Sequence, residues 1–469
     1  MTKKAILSGF LAALLLLITV CSSVTYKEAM EKPGKKFFDG EFIEAARELL
    51  PEINKKSRAR LLFMMETGLM LHTGEDSEAS NRVFLRAASL ADTLPISASQ
   101  QLSSLLTEPG KTDYRGEDFE RVLIHMYAGL NFLSLEEYEK ARVEFRAVNE
   151  QLTRIRQKEG DAVYRQNLMA KYLAAYAFEL TGDAGNDHDD WEYAYIELRQ
   201  IHRLRPDIDF VKNDLHRIAL KLGYKDDAAK WRRAGARPAE LKPEDSGEIL
   251  VFFQAGQNAI KESRGSLFDD KDMRTSINIS LQTQSLAAGV TIASVMIALQ
   301  KAEHPVPKYK KRSNEIDSIR IRTGRHTAKT FILEDIESTS IKTFEDNYSS
   351  MKKQIAASIA ARAAASVAAG LTAQKIAEQS DTTAGAAGLI GFVVGMGTGS
   401  ALFSQMKPDL RCWHTLPANL QLARLFVEPG ERDITLEYLD NKGRIIKTEK
   451  IDAEIQAGER YLINKRTLQ

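Results

Sequence analysis

The sequence predicts an α+β multidomain chain in which an N-terminal α-α superhelix precedes a mainly antiparallel β domain with an inserted helical hairpin. Three observations predict this arrangement. Residues 28–236 place apolar side chains at helical spacing and contain few prolines. Residues 247–469 contain short apolar runs separated by turn residues. At about 340–406 the apolar spacing becomes helical, and the composition shifts to alanine and glycine.

Size and charge limit the classes of function. The chain has 469 residues, which is enough for two or three domains with cores of their own. Its 65 Lys and Arg residues balance 64 Asp and Glu residues. Because such a surface has no excess of positive charge to attract phosphates, we expect no nucleic-acid partner.

The N-terminal segment 1–21 has the layout of a lipoprotein signal peptide. Lys3 and Lys4 precede an uncharged apolar run, and Cys21 follows this run at once. The four residues that end at Cys21 resemble a lipobox, with Val20 where a small residue is usual. We expect Cys21 to carry lipid, including palmitate, and to hold the protein at the bacterial outer membrane, facing the periplasm. The alternative is an uncleaved anchor helix in which Cys21 is incidental.

A helical-hairpin pattern recurs within residues 28–236. Its clearest copy has small residues, Gly129 and Ala141, where two antiparallel helices would cross closely. Tyr138 and Phe145 would fill the space beside the crossing. These offsets resemble those of a tetratricopeptide repeat. Fainter copies are predicted around residues of the same types, namely Gly40, Ala45, Gly68, Phe84, Trp191 and Ala194.

The copies are unevenly spaced, and one of them needs an insertion, Asp183–Asp190, between its helices. The alternative to a divergent tetratricopeptide array is therefore a generic helical bundle whose helices cross at Ala or Gly. Stacked hairpins coil into a superhelix with a concave groove, and such grooves hold peptides or partner domains.

After a polar linker, the apolar run Ile249–Phe253 begins the second domain. Asn441–Gly443 is a tight-turn sequence between two later strands. The further predicted strands are Ser276–Leu281, Val290–Leu299, Ile316–Ile321, Thr330–Leu333, Leu422–Val427, Asp433–Tyr438, Arg444–Ile451 and Arg460–Ile463.

The second helix of the inserted hairpin is uncharged from Thr382 to Met406 and carries a stripe of small residues, Gly391, Gly395 and Gly399. Such a stripe lets helix backbones approach closely. The sequence favours a soluble hairpin in which an alanine face packs against this glycine face, because charged residues interrupt the first helix. The alternative is a hairpin that enters a membrane, since the uncharged run is long enough to span one.

No motif predicts catalysis, a cofactor or a metal site. The glycines within Val393–Ser400 lack the βαβ unit that surrounds a nucleotide loop. Cys412 and His414 could form a thiol and base pair on one face of a strand, but no third group would orient them. His188 and the adjacent Asp187, Asp189 and Asp190 could coordinate a cation, but a run of acidic residues in an inserted loop is usually solvated. With Cys21 acylated, Cys412 has no intramolecular disulfide partner.

The segment Asp409–Pro417 reads Asp-Leu-Arg-Cys-Trp-His-Thr-Leu-Pro, in which Trp413 is predicted as a core anchor. Together with Asp113–Leu135, Gly247–Gly256 and Gly458–Leu468, it resembles a family of uncharacterised proteobacterial lipoproteins with helical repeats. The family pattern usually has Ser at the cysteine position, which gives the thiol no shared role. The resemblance implies an exported, lipid-anchored protein with repeats and a β-rich C-terminal domain, and it implies no known activity.

Together these features predict a lipid-anchored envelope scaffold or adaptor that binds protein partners through its repeat groove. By analogy with repeat lipoproteins that regulate peptidoglycan synthases, its partners would be cell-wall synthesis or outer-membrane assembly proteins. The alternative is a membrane-inserting or membrane-remodelling envelope component that uses the Gly/Ala-rich hairpin. An enzyme is the third class, and the sequence does not favour it.

Overall fold

The structure is a computed structural model. It describes residues 25–94, 110–159, 167–237, 245–282, 297–379 and 383–468. The predicted signal segment 1–21, with Cys21, lies outside the described residues, as does most of the predicted strand Val290–Leu299.

The described chain up to Arg237 contains ten α-helices that pair in order as five hairpins. They are α1 Tyr26–Phe38, α2 Phe42–Asn54, α3 Arg60–Thr73, α4 Ser77–Asp92, α5 Asp118–Ser134, α6 Tyr138–Glu159, α7 Leu168–Gly185, α8 His188–Leu204, α9 Asp209–Lys221 and α10 Lys225–Arg233. The N-terminal region is thus a series of helical hairpins that resemble tetratricopeptide repeats.

Three of the described hairpins close over a glycine of their first helix. The pairs are Gly68 with Phe84, Gly129 with Phe145 and Gly182 with Trp191, and a Cβ on the glycine would lie 2.7, 2.6 and 2.5 Å from the ring, respectively. An aromatic ring of the second helix therefore occupies the space that any other side chain would need.

The other predicted packing residues lie at different kinds of position. Ala45, Ala141 and Ala194 have no exposed surface, and Tyr138 begins α6 as a partly buried residue. Gly40 lies in the turn between α1 and α2 with a φ of 88°, and no atom lies within 4 Å of where its side chain would begin. This glycine therefore serves the turn, in place of the expected helix crossing.

The predicted insertion Asp183–Asp190 is mostly helical. Helix α7 continues through Gly185, and the left-handed residue Asn186, at a φ of 50°, ends it. The Asp187 side chain then caps α8 by accepting a hydrogen bond from the backbone N–H of Asp189 at 2.9 Å. The two helices are therefore joined by a tight turn.

In its described residues the second region has ten strands and helices α11 Lys271–Gln282, α12 Ile336–Glu378 and α13 Ala384–Ser404. The strands are β1 Gly247–Ala255, β2 Ile260–Glu262, β3 Lys308–Lys310, β4 Ser318–Thr323, β5 His326–Lys329, β6 Phe331–Asp335, β7 Asn419–Val427, β8 Gly430–Leu439, β9 Ile445–Ile455 and β10 Arg460–Arg466. We call the sheet β10-β1-β7-β6 the inner sheet and the sheet β5-β4-β8-β9 the outer sheet, while β2 and β3 pair separately. Strand β10 runs parallel to β1, and the other pairs are antiparallel.

The inner sheet is covered on both faces. On β1, Leu250 and Phe252 belong to the core of the repeats, whereas Ile249, Val251 and Phe253 pack against the outer sheet. A strand that is buried on both faces needs apolar residues at successive positions, which explains the uninterrupted apolar run of β1. The layers are therefore repeats, inner sheet and outer sheet.

Helices α12 and α13 form the inserted hairpin, and its base packs against α11 through Met273, Ile355 and Phe403. The strand predicted at Ser276–Leu281 is wrong, because these residues belong to α11. Its alternation of polar and apolar residues is typical of a strand, but among the side chains described in this run Ile277 enters the core while Ile279 is 58% exposed.

Candidate functional site: the inner surface of the repeats

Helices α3, α5 and α7, the first helices of the middle three hairpins, are buried on nearly every side. In α3 the buried residues run without a break from Leu61 to His72, and in α5 from Val122 to Leu133 except at His125. Each of these helices packs against its own second helix and against the β region. Tyr127 of α5, for example, donates a hydrogen bond to the Gln254 side chain of β1 at 3.1 Å. The concave surface that the sequence predicts as an open groove is therefore covered by the same chain.

The centre of this surface holds Asp409–Pro417, which we call the inner segment. Its Trp413 is 1% exposed, and the indole lies 6.1 Å from the rings of both Phe84 and Tyr127. The predicted core anchor therefore lies against the repeats. Next to it, Arg411 forms an ion pair with Asp409 at 2.6 Å.

Glu66 of α3 binds the backbone of the inner segment from the side of the repeats. Its carboxylate accepts hydrogen bonds from the N–H groups of His414 at 2.6 Å and Thr415 at 3.2 Å. The hydroxyls of Thr415 and Tyr26 donate to it at 2.5 and 2.7 Å. Burial raises the pKa of Glu66, and these donors oppose the shift. The carboxylate thus replaces the backbone partners that a strand or helix would supply.

Glu120 of α5 makes the equivalent contact one step earlier along the segment. It accepts a hydrogen bond from the N–H of Trp413 at 3.0 Å and another from the hydroxyl of Tyr114 at 2.6 Å. Burial, and then the neighbouring charge of Glu117, raise the pKa of Glu120 to about 7. This group therefore titrates near neutral pH.

The carbonyl groups of the inner segment are held by donors from several elements. The Tyr26 hydroxyl, whose single proton also serves the Glu66 carboxylate, lies 3.0 Å from the carbonyl oxygen of Cys412. Arg312 donates to the carbonyl of His414 at 2.8 Å, and Arg466 of β10 donates to that of Thr415 at 3.1 Å. The segment has little regular secondary structure, yet side chains satisfy its buried backbone.

A neutral histidine lies beside this segment. The His72 Nδ1 is 2.6 Å from the Asn131 side-chain oxygen, and the amides of Gln254 and Asn464 lie 3.1 and 3.3 Å from Nε2. These partners fit a tautomer that donates from Nδ1 and accepts at Nε2. Burial lowers the pKa of His72 to about 4, so the ring is neutral near pH 7.

A charged cluster joins the later repeats to the inner sheet. Arg424 of β7 lies 3.1 Å from Glu179 of α7, 3.1 Å from Asp214 of α9 and 3.0 Å from Glu248 of β1. Arg217 of α9 also pairs with Glu179 and Asp214. Burial would raise the pKa of Glu179, but Arg217 and Arg424 hold it well below its usual range. The buried charges of this cluster are thus paired with one another, and the cluster holds the later repeats against the inner sheet.

The cysteine and histidine of the inner segment are not arranged for nucleophilic catalysis. Burial raises the pKa of the Cys412 thiol to about 11 and lowers that of His414 to about 4. An activated pair needs the reverse, a thiolate beside an imidazolium. The two residues also lie outside the strands, which contradicts the shared strand face proposed from their spacing.

The other predicted motifs have packing roles. Gly391, Gly395 and Gly399 are buried within α13, and a Cβ on Gly391 would lie 2.9 Å from the Gly370 carbonyl of α12. The glycine cluster is therefore helical rather than a nucleotide loop. Near His188, Asp190 binds Arg142 at 2.6 Å. Within the described ranges no three His, Cys, Asp or Glu residues are placed to hold a metal ion.

Sequence reasoning missed Glu66 and Glu120, which hold the inner segment, and Arg424, which joins the later repeats to the inner sheet. A signal for them exists. Helices α3, α5 and α7 lack the wide polar face of a surface helix, so their few polar residues are buried and require partners. The sequences of these helices do not indicate which distant segment supplies the partners.

No protein-family model matches the chain, and no curated protein matches it. Solved structures resemble its helical part. A MamA RS-1 double mutant has 13% identity and a TM-score of 0.32, and the match covers 45% of this chain and 94% of that one. MamA from Desulfovibrio magneticus RS-1 has 14% identity, coverage of 45% and 93%, and a TM-score of 0.31. A putative kinesin light chain from Podosopora anserina with TPR-like repeats has 12% identity and a TM-score of 0.31, and the match covers 44% of this chain and 92% of that one. Likenesses this distant carry no argument about function.

Proposed function

We propose that this protein is a lipid-anchored scaffold of the bacterial cell envelope that binds protein partners, and that it binds them on the outer face of its repeats. The inner surface is the face that a free repeat array offers to ligands. Here its place is taken by the inner segment and the inner sheet, as the contacts of Trp413 and Glu66 illustrate. A partner therefore has to bind elsewhere.

The observation that carries the proposal is an exposed patch on helices α6 and α8. Val143 is 61% exposed, Tyr193 is 49% exposed and Ile196 is 42% exposed. The Arg146 guanidinium lies 6.0 Å from the centre of the Tyr193 ring. Tyrosine and arginine are enriched in the energetic centres of protein interfaces, and exposed apolar side chains beside them are typical of interaction sites. We call these four residues the outer patch.

The sequence of residues 1–21 supports the envelope location, because it has the order of a basic start, an apolar run and Cys21. The balanced charge of the chain is consistent with protein partners rather than nucleic acid. Cell-wall synthesis and outer-membrane assembly proteins are the partner classes we propose, because they share that compartment.

A photoreactive amino acid placed at Val143 in the full chain tests the outer patch in cells. We expect a discrete adduct with a cell-wall synthesis or outer-membrane assembly protein, and we expect Arg146→Glu to abolish it. The matched control carries the same amino acid at Leu50, an apolar α2 residue that is 41% exposed, and should give no such adduct. Equal adducts from both positions, or an adduct that survives Arg146→Glu, would argue against the patch.

The anchor is tested separately. Cys21→Ala should abolish palmitate labelling and leave an uncleaved precursor, because the thiol is the acyl acceptor. If this variant is processed and fractionates like the parent chain, the lipoprotein assignment is wrong even if the outer patch binds a partner.

A further inference from the structure

We propose that the hairpin formed by α12 and α13 inserts into a lipid bilayer, as a second membrane contact that is independent of Cys21. The two helices pack against each other, with Gly391 against α12 and Gly399 between Ala298 and Ser366 of α12. The inference rests on the faces of α12 and α13 that point away from this contact, which we call the outward faces.

The outward face of α13 is apolar and exposed. Leu389, Ile390, Val393 and Val394 are 63%, 41%, 53% and 37% exposed. Their spacing puts them on one side of the helix, away from the glycine stripe. A soluble helix usually turns charged or polar residues to water on this side. Here the polar face is replaced by branched aliphatic side chains.

The outward face of α12 is uncharged over a matching length. Between Lys353 and Lys375 its exposed residues are Gln354, Ala357, Ala361, Ala365, Ala368 and Thr372, none of which is charged. At about 1.5 Å per residue, this stretch is roughly 33 Å long, close to the hydrocarbon thickness of a bilayer of about 30 Å. Both helices satisfy the length and hydropathy requirements of a membrane span. Charge is thus absent from both outward faces over one bilayer width.

Basic residues lie where this stretch begins. Gly391 of α13 packs near Gly370 of α12, and Gly399 packs near Ser366, so the helices are antiparallel. Lys407 follows the end of α13, Lys353 lies at the start of the uncharged stretch of α12, and both are exposed. Lysines at the boundary of an apolar stretch suit anionic lipid headgroups.

The charged residue within this stretch of α12 is turned away from the outward face, as a bilayer would require. Arg362 is the only charged residue between Lys353 and Lys375, and it is half-buried. An intramembrane arginine usually faces the interior of a helix bundle. Protein interfaces are enriched in aromatic and arginine residues, whereas the exposed residues of this face, Leu389, Ile390, Val393 and Val394, are all aliphatic, and the adjacent Phe392 is only partly exposed. The surface is therefore better suited to lipid than to a second protein.

The test uses the full chain with Cys21→Ser and a single labelled site, Val393→Cys, carrying a polarity-sensitive fluorophore. Cys412 is buried and should stay unlabelled. With vesicles of phosphatidylcholine and phosphatidylglycerol, we expect a blue shift and a several-fold loss of quenching by aqueous iodide. The matched control is Leu220→Cys on α9, which is 56% exposed and should change in neither respect. Because both chains keep the N-terminal apolar segment, that segment cannot produce a difference between them.

A third chain adds Ile390→Glu to the Val393→Cys background, and it should restore iodide quenching while the circular dichroism melting curve stays unchanged. Quenching at position 393 that does not change with vesicles would overturn the proposal. Shielding that appears without vesicles and grows with protein concentration would also overturn it, since a second copy of the chain would then cover this face.

Discussion

Glu66 and Glu120 are buried carboxylates that serve as hydrogen-bond acceptors for a segment with no strand or helix of its own. Each accepts from a backbone N–H of the inner segment, at 2.6 and 3.0 Å. Buried N–H groups without acceptors are costly, so these two side chains fix the position of the inner segment on the repeats.

Replacing Glu66 should therefore destabilise the whole protein. Glu66→Ala leaves the N–H groups of His414 and Thr415 without their acceptor, and we expect a loss of about 3 kcal/mol or more in the free energy of unfolding. Urea unfolding followed by tryptophan fluorescence measures it. The control is Glu78→Ala on α4, where the carboxylate is 74% exposed and the effect should stay within about 0.5 kcal/mol. Equal effects of the two variants would contradict the assigned role of Glu66.

The raised pKa of Glu120 predicts a specific dependence of stability on pH. Its pKa is about 7 in the folded protein and 4.5 as the reference, so between these values the folded state binds more protons than the unfolded state. This contribution to stability is therefore complete below about pH 4.5 and is lost as the pH rises through 7.

Glu120→Gln cannot ionise and removes this dependence. The unfolding free energy of the natural chain minus that of the variant should fall by on the order of 3 kcal/mol between pH 4.5 and 8. His72 and His414, whose pKa values are lowered to about 4, titrate in both chains and cancel in the difference. Parallel pH profiles for the two proteins would rule out the raised pKa.

Single residues were predictable where their chemistry is local. The size and apolarity of Trp413 indicate a buried anchor, and the structure leaves it 1% exposed. The role of Glu66 depends on His414, which is 348 positions away, and no local pattern encodes that distance. The same limit applies to Arg424, since its partners Glu179 and Glu248 belong to two other elements.

At the scale of elements, the close contact between Gly129 and the Phe145 ring gives a direct test of the hairpin packing. Gly129→Ala would bring a Cβ to 2.6 Å from the ring, and overpacking of this kind costs about 1 to 3 kcal/mol. The melting temperature should therefore fall.

The control for that substitution is Gly397→Ala in α13. No atom lies within 4 Å of its Cβ position, and alanine has the higher helix propensity, so stability should stay equal or rise by up to about 1 kcal/mol. A Gly129→Ala protein as stable as the Gly397→Ala protein would contradict the packing described for α5 and α6.

Element predictions succeeded where one periodicity dominated. The apolar run Ile249–Phe253 and the turn at Asn441–Gly443 both lie where strands require them. Ser276–Leu281 was predicted wrongly because its alternation matches a strand while its burial follows one face of α11. Gly182 was missed, although it repeats the glycine and aromatic contact of two other hairpins, because only nine residues separate it from Trp191.

At the scale of the whole molecule, the helical and β regions share one core. Leu250, Phe252 and Trp413 belong to the same buried cluster as Phe84 and Tyr127. The sequence predicted two regions from their different periodicities, but periodicity does not reveal that one region fills the concave face of the other. That arrangement follows from helices α3, α5 and α7 having apolar residues on all sides.

A fragment of residues 25–237 should therefore be unable to fold as an independent repeat array. Without the β region it would expose the apolar inner faces of α3, α5 and α7, and we expect aggregation or strong binding of an apolar dye, with no cooperative melting. Co-expression with residues 245–469 should restore a soluble complex. A monomeric fragment that melts like the full chain would show that the repeats are self-sufficient.

The attachment of the inner segment to α1 and α3 also has a consequence for when the protein can fold. Tyr26 and Cys412 are hydrogen-bonded although 386 positions separate them, so the relative contact order of this part of the fold is high. Chains dominated by such distant contacts fold slowly, because closing the large loop loses entropy before the contacts compensate. During synthesis, the inner faces of the early hairpins would therefore remain uncovered until the inner segment has been made. We expect this delay to make the chain dependent on chaperones until Trp413 docks.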